Sequence, residues 1–314
     1  VAAKKVVAVI ATSKTNIGSP SPHRSKTMVS QQLRKGAAGI LVSAVLTLFS
    51  SQLFAAKILA VDEGNRLSSG GWTTLFSGTF GDDLTVVNSW GTALGEDLST
   101  YDIVWDGGFF SDPGAAAAAA VVAFVEGGGG FYGQTERPCC EPHNGWVEGI
   151  FKTLTGDNAM QFGGAGDGNG GTGVFLTPDT SILIGPNDIR NTNFNISAPG
   201  QLVVSDTSKI FAKQTGPGGF NIGVAYADDD LVNNSGRIVT ISDIDWLSGI
   251  NADEQLALEN IREFLLDGVS LPPGCGAVPL PPGCPNPVPG PSTPALLMIG
   301  LGLLTYKRFM RKAA

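Results

Sequence analysis

Six carboxylates close four short apolar runs in this chain: Asp62 with Glu63, Asp106, Glu136, and Asp243 with Asp245. Each run is rich in β-branched or aromatic residues, the pattern of a buried strand. Parallel strands carry their carboxyl ends to one edge of a sheet, where open α/β sheets bind ligands. A rim of acids there suits a divalent cation such as calcium, held through oxygen ligands, or the hydroxyls of a sugar. The same acids also serve a plainer purpose, capping loops and the first turns of following helices. An enzyme would need two of them facing each other across a cleft with separated pKa values. A binding module would need only the rim and aromatic neighbours, for which Trp72, Trp105 and Trp246 are the candidates.

A second cluster runs from Arg137 through Cys139 and Cys140 to His143. Cysteine with histidine makes a nucleophile and its base, but that requires an exposed, activated thiolate. Adjacent cysteines in an oxidising compartment instead favour a disulfide-stapled loop. Cys275 and Cys284 lie together in a Pro/Gly-rich stretch and suit a small closed loop. The four cysteines still allow three connectivities. Two adjacent cysteines and one histidine make poor tetrahedral zinc ligands. The Gly-rich segment from Phe162 through Asp167 to Asn169 resembles one calcium-binding Gly/Asp repeat, but such repeats need stacking, so a loop is expected. Asp228, Asp229 and Asp230 read as a solvated turn. The sequence holds no phosphate loop, dinucleotide fingerprint, serine elbow or HExxH.

The elements that must position these residues follow from periodicity. Strands are expected at 57–62, 84–88, 101–106, 131–135 and 236–242, and helices at 115–126, at 144–154 and after an Asn251 cap. Ala257, Ile261, Phe264 and Leu265 form the apolar stripe of the last helix. Residues 162–227 differ, with short β-like runs at 174–176, 181–184, 201–204, 209–212 and 221–227. They read as a β-rich insertion or as an antiparallel extension of the sheet edge. The class is therefore α/β: a mostly parallel three-layer sheet, with one domain over 57–270.

Tyr101-Asp-Ile-Val-Trp-Asp-Gly-Gly108, the helix leading into Glu126 and its glycines, and Gly236–Asp243 before a final helix resemble the class I glutamine amidotransferase-like fold. The catalytic members place a nucleophilic cysteine in a Gly-x-Cys-x-Gly elbow. Here that stretch reads Gly133-Gln134-Thr135-Glu136, so the resemblance implies the fold and not the activity.

Composition bounds the partners. Charged residues make up 15 % of the chain, against about 25 % in ordinary soluble domains. The net charge is −8 and the basic residues gather at the two ends, so the middle repels phosphate backbones and no nucleic-acid partner is expected. Residues 1–27 read as an over-extended or disordered N-terminus. Residues 28–56, with Arg34 and Lys35 before an apolar run, read as a secretory leader. Residues 271–294 are a stiff Pro/Gly-rich linker, 295–306 an apolar transmembrane run and 307–314 a basic cytoplasmic tail.

Val288-Pro289-Gly290-Pro291-Ser292-Thr293, the Leu/Gly-rich run after it and the Lys/Arg end together resemble the PEP-CTERM sorting signal of exopolysaccharide-producing Gram-negative bacteria. The family carries Glu where this chain has Gly290. The resemblance covers residues 288–314. It implies processing by an exosortase, a membrane transpeptidase, after export by the secretion machinery. It also implies inner-membrane anchoring, then release to the surface or matrix near exopolysaccharide. The expected protein is a non-catalytic exported binding module. The alternative is an extracellular hydrolase of polysaccharide or glycopeptide working through the acidic rim.

Overall fold

The computed structural model describes residues 55–167, 171–178, 180–216 and 219–267. The leader up to residue 54, the linker, Cys275, Cys284, the Val288–Thr293 motif and the apolar tail lie outside the described residues. Among the described residues no helix is long and apolar enough to cross a membrane.

Five strands run parallel: β1 (Lys57–Val61), β2 (Asp83–Val87), β3 (Ile103–Asp106), β4 (Gly130–Gly133) and β11 (Arg237–Ile241). Between β4 and β11 in sequence come β5 (Gln161–Asp167), β6 (Thr172–Phe175), β7 (Asn193–Asn195), β8 (Gly200–Val203), β9 (Ile210–Thr215) and β10 (Asn221–Tyr226). The main sheet has nine strands in the order β2-β1-β3-β4-β11-β10-β9-β6-β7, and β5 pairs with β8 separately. From β11 outward every pairing is antiparallel. The sheet is thus parallel only in its first half. Of the two readings of residues 162–227, the antiparallel extension of the sheet edge is the one found, in β10, β9, β6 and β7, with β5 and β8 pairing apart.

Side-chain alternation explains why the parallel half is buried on both faces. Ile58 and Ala60 enter one core while Leu59 and Val61 enter the other. Trp105 and Val104 divide in the same way, as do Tyr132 and Phe131. Helices α1 (Ala115–Glu126) and α2 (Glu141–Thr155) cover one face, through Val121 and Val125 and through Val147, Ile150 and Leu154. Helix α3 (Ala252–Leu266) and the short helical turns between β1 and β2 cover the other, through Leu258, Ile261, Trp72 and Phe76. The expected stripe of Ala257, Ile261, Phe264 and Leu265 is buried.

Two local expectations fail. Ser181–Ile184 is a helical turn, not a strand. Its Ile182 and Leu183 are buried, and adjacent buried residues suit a turn rather than period-two alternation. The loop expected from Phe162 to Asp167 is strand β5, because its glycines let the chain lie close against the β4–α2 connection. A Cβ on Gly163, where φ is +77°, would stand 2.1 Å from the Asn144 amide nitrogen.

Candidate functional site

The chain leaves β1 for β2 on one side and, later, β3 lies on the other side of β1. That reversal makes the carboxyl ends of β1 and β3 the switch point of the parallel half, the place where open α/β sheets form a ligand crevice. The six rim acids all sit at or just beyond the strand ends, as expected. The structure decides what each carboxylate does there.

Asp62 is buried and spends both oxygens on the following turn. Oδ1 accepts from the Leu67 N–H at 2.9 Å, and Oδ2 from the Ser68 N–H at 3.0 Å and the Ser68 hydroxyl at 2.6 Å. Asp243 is fully buried. It accepts from the Asp245 N–H on one oxygen and from the Ser197 and Ala198 N–H groups on the other. Burial raises its carboxyl above the ordinary value, against the pull of those donors. Glu136 accepts from Arg137 N–H and Ile244 N–H, each at 2.9 Å, and so ties the end of β4 to the end of β11. Burial is the main cause that lifts its carboxyl to about 7, with the charges of Asp243 and Asp245 adding to the rise.

Asp106 anchors a buried pair that sequence reasoning missed. Its Oδ1 accepts from the Trp90 indole at 3.0 Å and the Gly108 N–H at 3.2 Å, and its Oδ2 lies 2.8 Å from His143 Nε2. His143 Nδ1 donates to the Ser111 carbonyl at 2.8 Å. A carbonyl only accepts, so Nδ1 carries a proton and Nε2 faces a carboxylate. Burial pulls the imidazole pKa down, but the Asp106 charge and hydrogen bond outweigh it and hold it above the ordinary value. His143 is fully buried, so it is a pin between α2, β3 and the loop after β3. It is not paired with a thiolate: Cys139 and Cys140 are joined to each other in a vicinal disulfide. The only sequence signal for the pin was a histidine just ahead of an expected amphipathic helix.

Gly108 is what allows this packing. A Cβ there would lie 2.9 Å from His143 Cε1, 3.2 Å from Asp106 Oδ1 and 3.4 Å from Glu63 Oε2. Glu63, Asp106 and His143 therefore converge on one glycine, while Glu136, Asp243 and Asp245 gather at the ends of β4 and β11. Arg66 joins the second group: its guanidinium pairs with Asp245 at 3.3 Å and lies over the Phe109 ring at 5.5 Å.

Between these features a depression of about 370 Å³ opens, lined by Glu63, Gly64, Arg66, Phe109 and Phe110. It lies beyond the ends of β1 and β3. Phe110 is 64 % exposed beside the buried Phe109, and Glu63 accepts from the Ser111 hydroxyl at 2.6 Å. The aromatics proposed from sequence do not serve here, because Trp72, Trp105 and Trp246 are buried in the core. Among the described residues no group of three His, Cys, Asp or Glu side chains is placed to hold a metal ion. Of the six rim acids, Asp62, Asp106, Glu136 and Asp243 act as caps and ties, Asp245 pairs with Arg66, and Glu63 lines the open depression.

No family of known proteins matches the sequence, and no curated protein does. Low-identity similarities to solved structures are found. One is described as a putative ThuA-like protein from Bacteroides uniformis, at 13 % identity and a TM-score of 0.44, covering 69 % of this chain and 92 % of that one. Another, described in the same words, comes from Parabacteroides merdae, at 11 % identity and a TM-score of 0.46, covering 70 % of this chain and 94 % of that one.

Proposed function

We propose that this chain is an exported envelope or matrix protein whose α/β domain is a non-catalytic binding module, and that it recognises a sugar ring of extracellular polysaccharide in the depression at the β1–β3 switch point. One observation carries the reading: an exposed aromatic, Phe110, stands beside the charged Glu63 and Arg66 at that point. An aromatic face takes the apolar face of a sugar, and flanking charged groups orient its hydroxyls. The same proposal takes the domain as an amidotransferase-like fold that lacks the cysteine elbow. Export by residues 28–56 and exosortase sorting at Val288–Thr293 belong to the same proposal.

Calorimetric titration with neutral oligosaccharides tests the binding reading. Saturable binding that Phe110→Ala weakens about tenfold or more supports it. Binding unchanged in Phe110→Ala and Arg66→Ala overturns it. Intact mass and fractionation in hosts with and without an exosortase test the sorting reading. Loss of the tail only with the enzyme supports it, and an unchanged membrane-bound tail in both hosts overturns it.

The hydrolase alternative would use Glu136 as general acid: burial raises its carboxyl to about 7, and its oxygens accept from the Arg137 and Ile244 N–H groups, so the acid would have to be freed for catalysis. Polysaccharide cleavage that disappears in Glu136→Gln would favour it.

A further inference from the structure

A second depression, of about 290 Å³, lies at the opposite edge of the sheet. Strand β10 runs antiparallel to β11, so its last residue, Tyr226, pairs with Ile238 near the start of β11, away from the acidic rim. The lining comes from the turn after α2, the β8–β9 connection and the turn after β10. It includes Asp157, Ser205, Asp206, Lys209, Tyr226 and Asp230. The volume is near the lower limit of small-molecule pockets, about 300 Å³.

One group in it is chemically unfinished, and a second keeps an acceptor open. Tyr226 is only 4 % exposed, and its buried hydroxyl has no hydrogen-bond partner among the described residues. Buried hydroxyls are almost always bonded, because an unmade bond costs the full desolvation of the group. The hydroxyl sits in the field of Asp157, Asp206 and Asp230; burial first, and those charges next, raise its pKa, so it stays protonated.

Asp206, which is exposed, supplies the open acceptor. Its Oδ1 accepts from the Ser208 N–H and hydroxyl, while its Oδ2 has no donor among the described residues. The other acids are engaged. Asp157 accepts from Ala159 N–H and from the Ser205 N–H and hydroxyl, and Asp230 pairs with Lys209 and accepts from Ala227 N–H. Three carboxylates against one ammonium leave the lining with a formal charge of −2 (−3 + 1). The carboxylates are not gathered into a metal-ligand set.

We propose that this depression binds a hydroxylated primary amine, an amino sugar with a free ammonium group. The ammonium has only donors and meets Asp206 Oδ2. A ligand hydroxyl both donates and accepts, and so completes Tyr226. The site is separate from the switch-point depression and does not depend on it.

The test uses the full chain with glucosamine as probe, and with glucose and N-acetylglucosamine as charge-free controls. Isothermal titration and the thermal unfolding midpoint are read together. Glucosamine is expected to bind roughly tenfold or more tightly than either control, as the loss of one charge-assisted hydrogen bond implies. Asp206→Asn and Tyr226→Phe are each expected to weaken it by about the same factor. Without ligand, Tyr226→Phe is expected to unfold at an equal or higher midpoint, since it removes an unbonded buried hydroxyl. Phe110→Ala is expected to leave glucosamine affinity unchanged, which separates this site from the switch-point reading. Equal binding of the three sugars, no binding, or unchanged affinity in Tyr226→Phe would overturn the proposal.

Discussion

At the scale of single residues, burial turns expected ligands into fasteners. The Asp106–His143 pair has no exposed surface, so removing one partner strands the other. His143→Ala should cost about 3–5 kcal/mol in denaturant unfolding. A loss below about 1 kcal/mol would mean the carboxylate finds water, and the pin would be dispensable.

Glu136 carries a pH signature whose sign follows from linkage. Its folded value of about 7 lies above its ordinary 4.5, so the folded state binds the proton more tightly. Its contribution to stability is fully present below about 4.5 and is lost as pH rises through about 7, by on the order of 3 kcal/mol in total. His143, also raised, adds a loss of the same sign as pH rises through its own folded value. Glu136→Gln should therefore flatten the stability curve between about pH 4.5 and 7 relative to the parent. Curves that stay parallel across that window would refute the assignment.

At the scale of elements, α3 does more than present an apolar stripe. Its N-cap Asn251 accepts from the Asp253 and Glu254 N–H groups, and the buried Glu254 closes the capping box while also accepting from Asn195 N–H in β7. Asn260 bonds the 182–187 turn through both its amide oxygen and its nitrogen. Arg262 pairs with the buried Asp82, which also accepts from Ala56 N–H. One helix thus fastens the first strands of the parallel half and the far edge of the antiparallel half. Asn251→Ala should cost about 1 kcal/mol, an ordinary cap. Arg262→Ala should cost about 3–5 kcal/mol, because Asp82 would be left buried and unpaired. Thermal or urea unfolding of the two variants ranks them, and equal costs would contradict the reading.

At the scale of the described domain, the nine-stranded sheet predicts one unfolding unit. The five tryptophans are all buried. Trp72, Trp90, Trp105 and Trp146 pack in the parallel half, while Trp246 bridges Tyr132 of β4 and Phe194 of β7, so its signal reports on both halves and the other four report on the parallel half. Amide exchange in β6, β7 and β9 reports on the antiparallel half. Tryptophan fluorescence and that exchange should give the same opening free energy if α3 couples the halves. A lower value in β6, β7 and β9 would show that the extension opens by itself.

The sequence by itself determined what local chemistry controls. Short, nearly continuous apolar runs gave β1, β3, β4 and β11, glycines stopped α1, and the Asn251 cap gave the start of α3. It also placed the six acids at strand ends, because that position is local. It did not determine their use, since a carboxylate becomes a cap or a ligand according to which N–H groups the fold brings within about 3 Å. Only tertiary structure put His143 against Asp106 across 37 residues and left Phe110 exposed at the switch point. It also buried Trp72, Trp105 and Trp246, and it ran β6, β7, β9 and β10 on from β11 as one sheet. Strand pairing and burial depend on partners distant along the chain, and no short window of sequence contains both partners.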